Sequence, residues 1–370
     1  MKITVSREEL TGALALVSRV AVSRSPQAIL QGVKFSAGPA GLELRATDLD
    51  IGITYVHSPS HCEGSEEFVL LPERLSSALR EIGDSDVTLY TDASDLVLQH
   101  GDGMFKFRRM DADDFPNLPA FPEAGTHRFK AAPLAQMLSR TVFCSGREKG
   151  RYAINGVYIT IGDGLFEMAA TDGKRLSACS LNLEGAKDIQ GLVLPVKLAE
   201  ILNKEISGLA PDAPVDMFTD GRQVSFKFAD VVLSGRLVEG EYPAYRSVIP
   251  KNNDKIAVVD RDEFTRICRA SMIFTDIANK AVGFTFDTDS LTVHSRLQEL
   301  GEAKLKIAVR YTGDPVTLGF NPQYLMDYLK AVQPGDINFQ FTSGTRAALL
   351  TQDEDPYGFQ HVLMPVTLRD

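Results

Sequence analysis

Three stretches of the chain follow one pattern: "LPERLSSALREI" from Leu71, "LPVKLAEILNKEI" from Leu194 and "FNPQYLMDYLKAV" from Phe320. Each sets a proline at a first helical position, where its missing N–H does no harm. Each then spaces leucines as one face of a helix: Leu75 and Leu79, Leu198 and Leu202, Leu325 and Leu329. Pro72, Pro195 and Pro322 stand 123 and 127 residues apart. "LRATD", "MAATD" and "LTVHS" recur at intervals of 124 and 123, and Pro116, Pro243 and Pro365 at 127 and 122. An early helix also recurs, in "SREELTGALALVSRV", "APLAQMLSRTV" and "DRDEFTRICRASM". Four matches in one order make three duplicated domains, with expected spans 1–122, 126–250 and 251–370. Solenoid repeats are far shorter.

Within a repeat the early helix precedes alternating segments such as "GVKFS", "LELRATD" and "IGITYV". The Pro-headed helix follows, then a meander: "VTLYTD", "LVLQH" and "MFKFRR" in repeat one, "VDMFTD", "VSFKFAD" and "VVLSGRL" in repeat two. Short Gly/Asp turns separate these strands, as hairpins require. Ser6 with Glu9, and Asp260 with Glu263, form capping-box starts for two of the early helices. The fold class is α+β: three tandem similar domains, each with two helices and antiparallel sheets that need one face covered.

The formal net charge is -10, which argues against a protein that grips nucleic acid by counterion release. Cys62, Cys144, Cys179 and Cys268 are scattered without Cys-x-x-Cys spacing, as reduced thiols in a cytoplasm would be. "MKITVSREEL" has no apolar stretch of signal-peptide type, and no apolar run approaches the roughly 18 residues of a membrane span. No phosphate-binding loop, dinucleotide fingerprint, zincin motif or nucleophile elbow occurs. "HSPSHC" gathers His57, His61 and Cys62, but lacks a second pair at structural-zinc spacing and reads as a loop. Asp113–Asp114 reads as a solvated linker, and His100, His127, His294 and His361 have no partner at motif spacing. No catalytic residue, metal site or cofactor is expected.

The middle of the chain reads "MAATDGKRLSACS". Asp172-Gly173 between two strand-like segments is a turn signal. Repeat one has "TDLDIG" at the same place, so the Thr-Asp pair is structural and shared. Gly-Lys-Arg-Leu belongs to repeat two alone, as a function acquired by one copy would. A phosphate nest is the weaker reading, because no helix N-terminus follows.

"ATDGKRL", "DDFPNLP", "EGEYPAYRSVIP", "FNPQYLMDYL" and "HVLMPVTL", in this order from Met1 to Leu368, resemble the β subunit family of bacterial DNA polymerase III, the sliding clamps. The resemblance implies a DNA clamp fold: a head-to-tail homodimer closed into a ring of six similar domains, helices lining the hole and sheets outside. Such a ring encircles double-stranded DNA without sequence specificity and tethers a polymerase, catalysing nothing itself. A topological link needs little net affinity, which reconciles the function with the acidic balance. The implied partners bind through short linear peptides: the replicative polymerase catalytic subunit, the clamp loader, translesion polymerases, mismatch-repair proteins and ligase. No membrane is involved, and the implied location is the cytoplasm, on the nucleoid when loaded.

By motif match, the resemblance puts the client-peptide groove at Ile154, Thr171, Gly173, Lys174, Arg175, Leu176, Pro243 and Val248, completed by Tyr324, Met364, Pro365, Val366 and Leu368. Leu, Val, Pro and Met suit a cleft for a client's Leu/Phe anchors, and Gly173 lets a peptide approach the backbone. DNA-facing positions are Arg24, Arg147, Lys149, Arg151 and Tyr152; ring-interface positions are Phe105, Met272 and Ile273, with Arg74 facing Glu299. The chain departs from the family pattern at Lys174, often His in relatives, at Ser247 and Thr367, where basic residues occur, and in the added Arg369-Asp370. These departures bear on client preference. The alternatives are a scaffold that binds DNA by ordinary electrostatics, and an enzyme using His57, His61 and Cys62.

Overall fold

The structure, a computed structural model, describes residues 1–21, 25–39, 41–147, 153–183, 185, 187–275, 280–297, 300–342 and 344–368. Six helices run through the described residues: α1 (Arg7–Val17), α2 (Pro72–Glu81), α3 (Ala131–Thr141), α4 (Val196–Ile206), α5 (Arg261–Ser271) and α6 (Pro322–Ala331). Their starts follow from local chemistry. Ser6 Oγ accepts the Glu9 N–H at 3.3 Å, and Asp260 Oδ1 accepts those of Asp262 and Glu263 at 3.0 and 2.9 Å. Pro72 and Pro322 open α2 and α6 as expected, but Pro195 ends the strand Ile189–Pro195 and α4 begins at Val196. That strand is the edge of its sheet, where a residue without an N–H is tolerated. The periodic leucines of α2, α4 and α6 are all buried.

The chain gathers into two compact units, Met1–Ala132 with Lys204–Leu237, and Pro133–Asn203 with Val238–Asp370. Among the described residues every strand pair is antiparallel. The first unit holds a five-stranded and an eight-stranded sheet, the second an eight-stranded and a four-stranded one. Both eight-stranded sheets are composite, with strands from two sequence repeats. In the first unit Ile51–His57 pairs with Val231–Arg236, from Ile51 opposite Gly235 to Tyr55 opposite Val231. In the second, Arg175–Asn182 pairs with Gln360–Leu363 in the register Arg175–Leu363, Leu176–Val362, Ser177–His361, Ala178–Gln360. The middle repeat thus gives strands to both units.

The "HSPSHC" segment is not simply a loop. His61–Glu63 forms a short strand beside Lys2–Ser6, with Thr4 opposite His61 and Ile3 opposite Cys62. Three residues carry too little alternation to announce a strand; the ladder of Lys2–Ser6 supplies the order. His57 lies against Glu9 at 3.5 Å, whereas His61 Nε2 is 2.9 Å from Glu63. Among the described residues, no helix is long and apolar enough to cross a membrane.

Behind the seam of the second unit, Ser177 Oγ and His361 Nδ1 share a hydrogen bond of 3.0 Å, and Cys144 Sγ lies 3.2 Å from Ser177 Oγ. The His361 ring stacks on Tyr328 of α6 at 5.1 Å. His361 is fully buried, and burial, seconded by the positive charge of Arg175, pushes its pKa down to about 3. A histidine neutral in the folded state and protonated below 6.5 when unfolded binds fewer protons folded. Stability is therefore complete above pH 6.5 and is lost as pH falls toward 3. We expect this group to remove about 1.4 kcal/mol per pH unit below 6.5. His361→Phe should flatten the fall of Tm between pH 6 and 4.5; equal slopes would show that His361 is protonated without cost.

Candidate functional site

The quoted turn has a built geometry. Thr171 Oγ1 donates to the Arg175 carbonyl at 2.6 Å and accepts the Gly173 N–H at 3.1 Å. Asp172 Oδ1 accepts from the amides of Lys174 and Arg175 at 2.9 and 3.0 Å. The same bonds recur at Thr47-Asp48, reaching Ile51, and at Thr219-Asp220, reaching Gln223. The Thr-Asp pair is a structural device of this chain, as its repetition implies. The third position of each turn has positive φ: +77° at Leu49, +83° at Gly173, +86° at Gly221. Above Gly173 a Cβ would meet only open space, so bare backbone faces outward there.

Alternation splits the next two residues between the faces of the sheet. Arg175 goes to the helical face with Ser177. Its guanidinium donates to Asp172 at 3.1 Å, to Asp327 of α6 at 2.7 Å and to the Phe143 carbonyl at 2.7 Å, and lies 4.2 Å over the Tyr324 ring. The Arg175 side chain is 10% exposed. It joins the turn to α6, with the half-buried Tyr324 of that helix beneath its guanidinium. Leu176, on the outer face, is buried with Ala169, Ala178, Leu349, Val362 and Tyr245.

Two segments rise from that apolar floor. One is 242–250, where Tyr242 stacks on Tyr158 at 4.6 Å and donates to the Ala169 carbonyl. Its turn leaves Pro243 half-buried and Val248 58% exposed. The other is the C-terminal segment, pinned where Met364 N–H meets the Lys174 carbonyl at 2.9 Å and Val366 N–H meets the Gly319 carbonyl at 2.8 Å. A Cβ on Gly319 would lie 2.2 Å from the Val366 carbonyl, so glycine there lets the segment settle. Met364 and Leu368 remain 45% and 39% exposed, Pro365 and Val366 half-buried. Ile154 joins the same region through Gly146, whose N–H reaches both the Ile154 and the Thr171 carbonyls. The chemistry is that of an apolar surface, with Lys174 exposed beside it.

The Cys144–Ser177–His361 cluster resembles a nucleophile beside a base, but it is buried behind this sheet. Burial pushes the Cys144 thiol up to about 12, so it carries no nucleophilic thiolate at neutral pH. Among the described residues no three His, Cys, Asp or Glu side chains are grouped to hold a metal. Sequence reasoning missed Tyr242, Tyr245, Leu349 and Val362 in the floor and Phe143 and Asp327 around Arg175. The apolar runs "AALL" and "HVLM" held a signal for Leu349 and Val362.

Phe105 lies 38% exposed on Gly103–Arg108, the outermost strand of the five-stranded sheet, next to Met104 at 61%. Met272 and Ile273, 37% and 70% exposed, form the turn after α5. Arg74 on α2 and Arg147 are exposed. Arg24, Lys149, Arg151, Tyr152, Glu299, Arg369 and Asp370 lie outside the described residues.

The chain matches the DNA polymerase III beta subunit in three parts: the N-terminal domain over residues 1–119, the central domain over 128–244 and the C-terminal domain over 246–367. It is 28% identical over 376 residues to the beta sliding clamp of Synechococcus elongatus, covering all of both chains. Its fold is similar to a Bartonella birtlesii sliding clamp bound to griselimycin, with TM-score 0.92, 26% identity and full coverage of both. A DNA polymerase III beta subunit of Thermotoga maritima shares the fold at TM-score 0.91 and 23% identity, again over all of both chains. With every part of the fold accounted for in this way, the chain belongs to the DNA polymerase III beta subunit family, the non-catalytic beta sliding clamps.

Proposed function

We propose that this protein is a ring-shaped processivity clamp that encircles duplex DNA and holds client proteins in the cleft between segments 242–250 and 364–368. Three domains, 1–122, 126–250 and 251–370, and a cytoplasmic location go with that reading. What supports it is an apolar floor beside which Val248 and Met364 are exposed and the backbone at Gly173 is open. A peptide's Leu or Phe anchor would bury there, with Met364 adapting to different clients. The clients implied are the replicative polymerase catalytic subunit, the clamp loader, translesion polymerases, mismatch-repair proteins and ligase.

The strand ladders support ring closure by two copies. At each junction within the chain, the last strand of one repeat's meander pairs with the third early strand of the repeat before it: Val231–Arg236 with Ile51–His57, and Gln360–Leu363 with Arg175–Asn182. Two counterparts are outermost in their sheets, Gly103–Arg108 in repeat one and Gly301–Ala308 in repeat three. Pairing the first with the second of another copy, twice, continues the rule into a closed head-to-tail dimer. Phe105, Met272 and Ile273 would supply its apolar contacts.

Deleting residues after Leu363 removes one wall of the cleft. We expect binding of a fluorescent Leu-Phe-anchored peptide to weaken by about 30-fold or more, while the mass in solution is unchanged. Undiminished affinity would refute the groove. Ile273→Asp would bury an unpaired charge in the dimer contact and should convert the dimer to monomers by light scattering; an unaltered mass would remove Ile273 from the interface. Protein loaded on a nicked circle by a clamp loader and ATP should survive a high-salt wash and leave when the circle is cut once. Release by salt alone, with cutting without effect, would identify ordinary electrostatic binding instead.

A further inference from the structure

The apolar floor does not end at the cleft. Beyond Tyr245 and Ile249, the outer face of the same sheet opens into a cavity of about 330 Å³ lined by Glu167, Ser180, Arg246, Lys251 and Gln360 besides Tyr245. Tyr245 and Ile249 line the cavity and also pack with Leu176, so the two hollows share a wall. Their polarity differs. The cleft is apolar; the cavity carries two cations and one carboxylate.

Arg246 is held in place from two sides. One guanidinium nitrogen donates to Glu167, itself hydrogen-bonded to Thr160, and the guanidinium lies 5.2 Å over the Tyr245 ring. The Arg246 side chain is still 62% exposed, whereas Glu167 is only 22% exposed. An arginine fixed by one nitrogen and a ring face presents its other N–H groups in an ordered fork. That fork suits a second carboxylate. Lys251 is exposed at the same rim.

We infer that the cavity is an extension of the peptide groove that takes an acidic side chain flanking the client's apolar anchor, bound by Arg246 and Lys251. This rests on the peptide-groove reading of the cleft. Continuity with the cleft says that the occupant is the same peptide, and the two cations say which side chain it presents. Glu167 neutralises part of Arg246 and orients it; it also disfavours lysine or arginine less than a wholly cationic site would, so the discrimination is graded.

The test uses the whole protein and fluorescein-labelled peptides with a Leu-Phe anchor, extended at either end by Glu-Glu, Ser-Ser or Lys-Lys. Fluorescence anisotropy should show Glu-Glu binding about three- to tenfold tighter than Ser-Ser at one end, with Lys-Lys weakest. Lys251→Glu, a surface change, should abolish that ranking with the Ser-Ser peptide unaffected, and Arg246→Gln should reduce it. High salt should shrink the same difference. Equal affinity of all extensions at both ends, or a ranking untouched by both variants, overturns the extension while leaving the groove standing. If none of the peptides binds, the groove reading itself has failed.

Discussion

The seam between Arg175–Asn182 and Gln360–Leu363 is the contact on which the second unit depends. Four residue pairs join the middle repeat to the third in one continuous sheet. Strand side chains alternate, so this register decides what each face receives. It sends Arg175, Ser177 and His361 to the helices and Leu176, Ala178 and Val362 to the outer face. A slip of one residue would drive a guanidinium into the apolar floor and a leucine toward Asp327. The turn at Thr171 and Asp172 guards against that slip by fixing where the strand begins.

Arg175 shows how the seam is reinforced from behind. Taking a guanidinium out of water is unfavourable unless its donors are met. Here two carboxylates and a carbonyl meet them, and the tyrosine ring covers its face. Asp172 serves both the turn and the arginine, so local turn chemistry and long-range packing share one carboxylate. Among the described residues, two backbone bonds, to the Lys174 and Gly319 carbonyls, hold the C-terminal segment beside the floor. Its position is a consequence of the strand that precedes it.

The acidic balance acquires a physical sense in this setting. On the proposed reading, a clamp held by topology has no need of strong attraction to phosphates, and a net charge of -10 would limit nonspecific binding. Exposed edges are usually a hazard that proteins blunt. Gly103–Arg108 keeps Met104 and Phe105 in the open, which fits the proposed pairing with a second copy.

Repetition, helix starts and strand alternation were legible in the sequence because each is a local pattern. Leucines at helical spacing fold onto whatever core is available, and Ser6 and Asp260 satisfy orphan amides within their own first turn. The Thr-Asp turn was legible for the same reason, since its bonds span only four residues. The short strand His61–Glu63, the place of Pro195 and the neighbours of Arg175 were not, because partners distant in the chain decide them. Asp327 stands 152 residues from Arg175. The resemblance named the cleft residues, but it could not say that Arg175 and Leu176 part to opposite faces. The sequence by itself determined the repeats and the elements inside them. Only the tertiary structure decided which strands cross from one repeat to the next, because a strand edge carries the same amides and carbonyls whatever its side chains, and only assembled packing selects its partner.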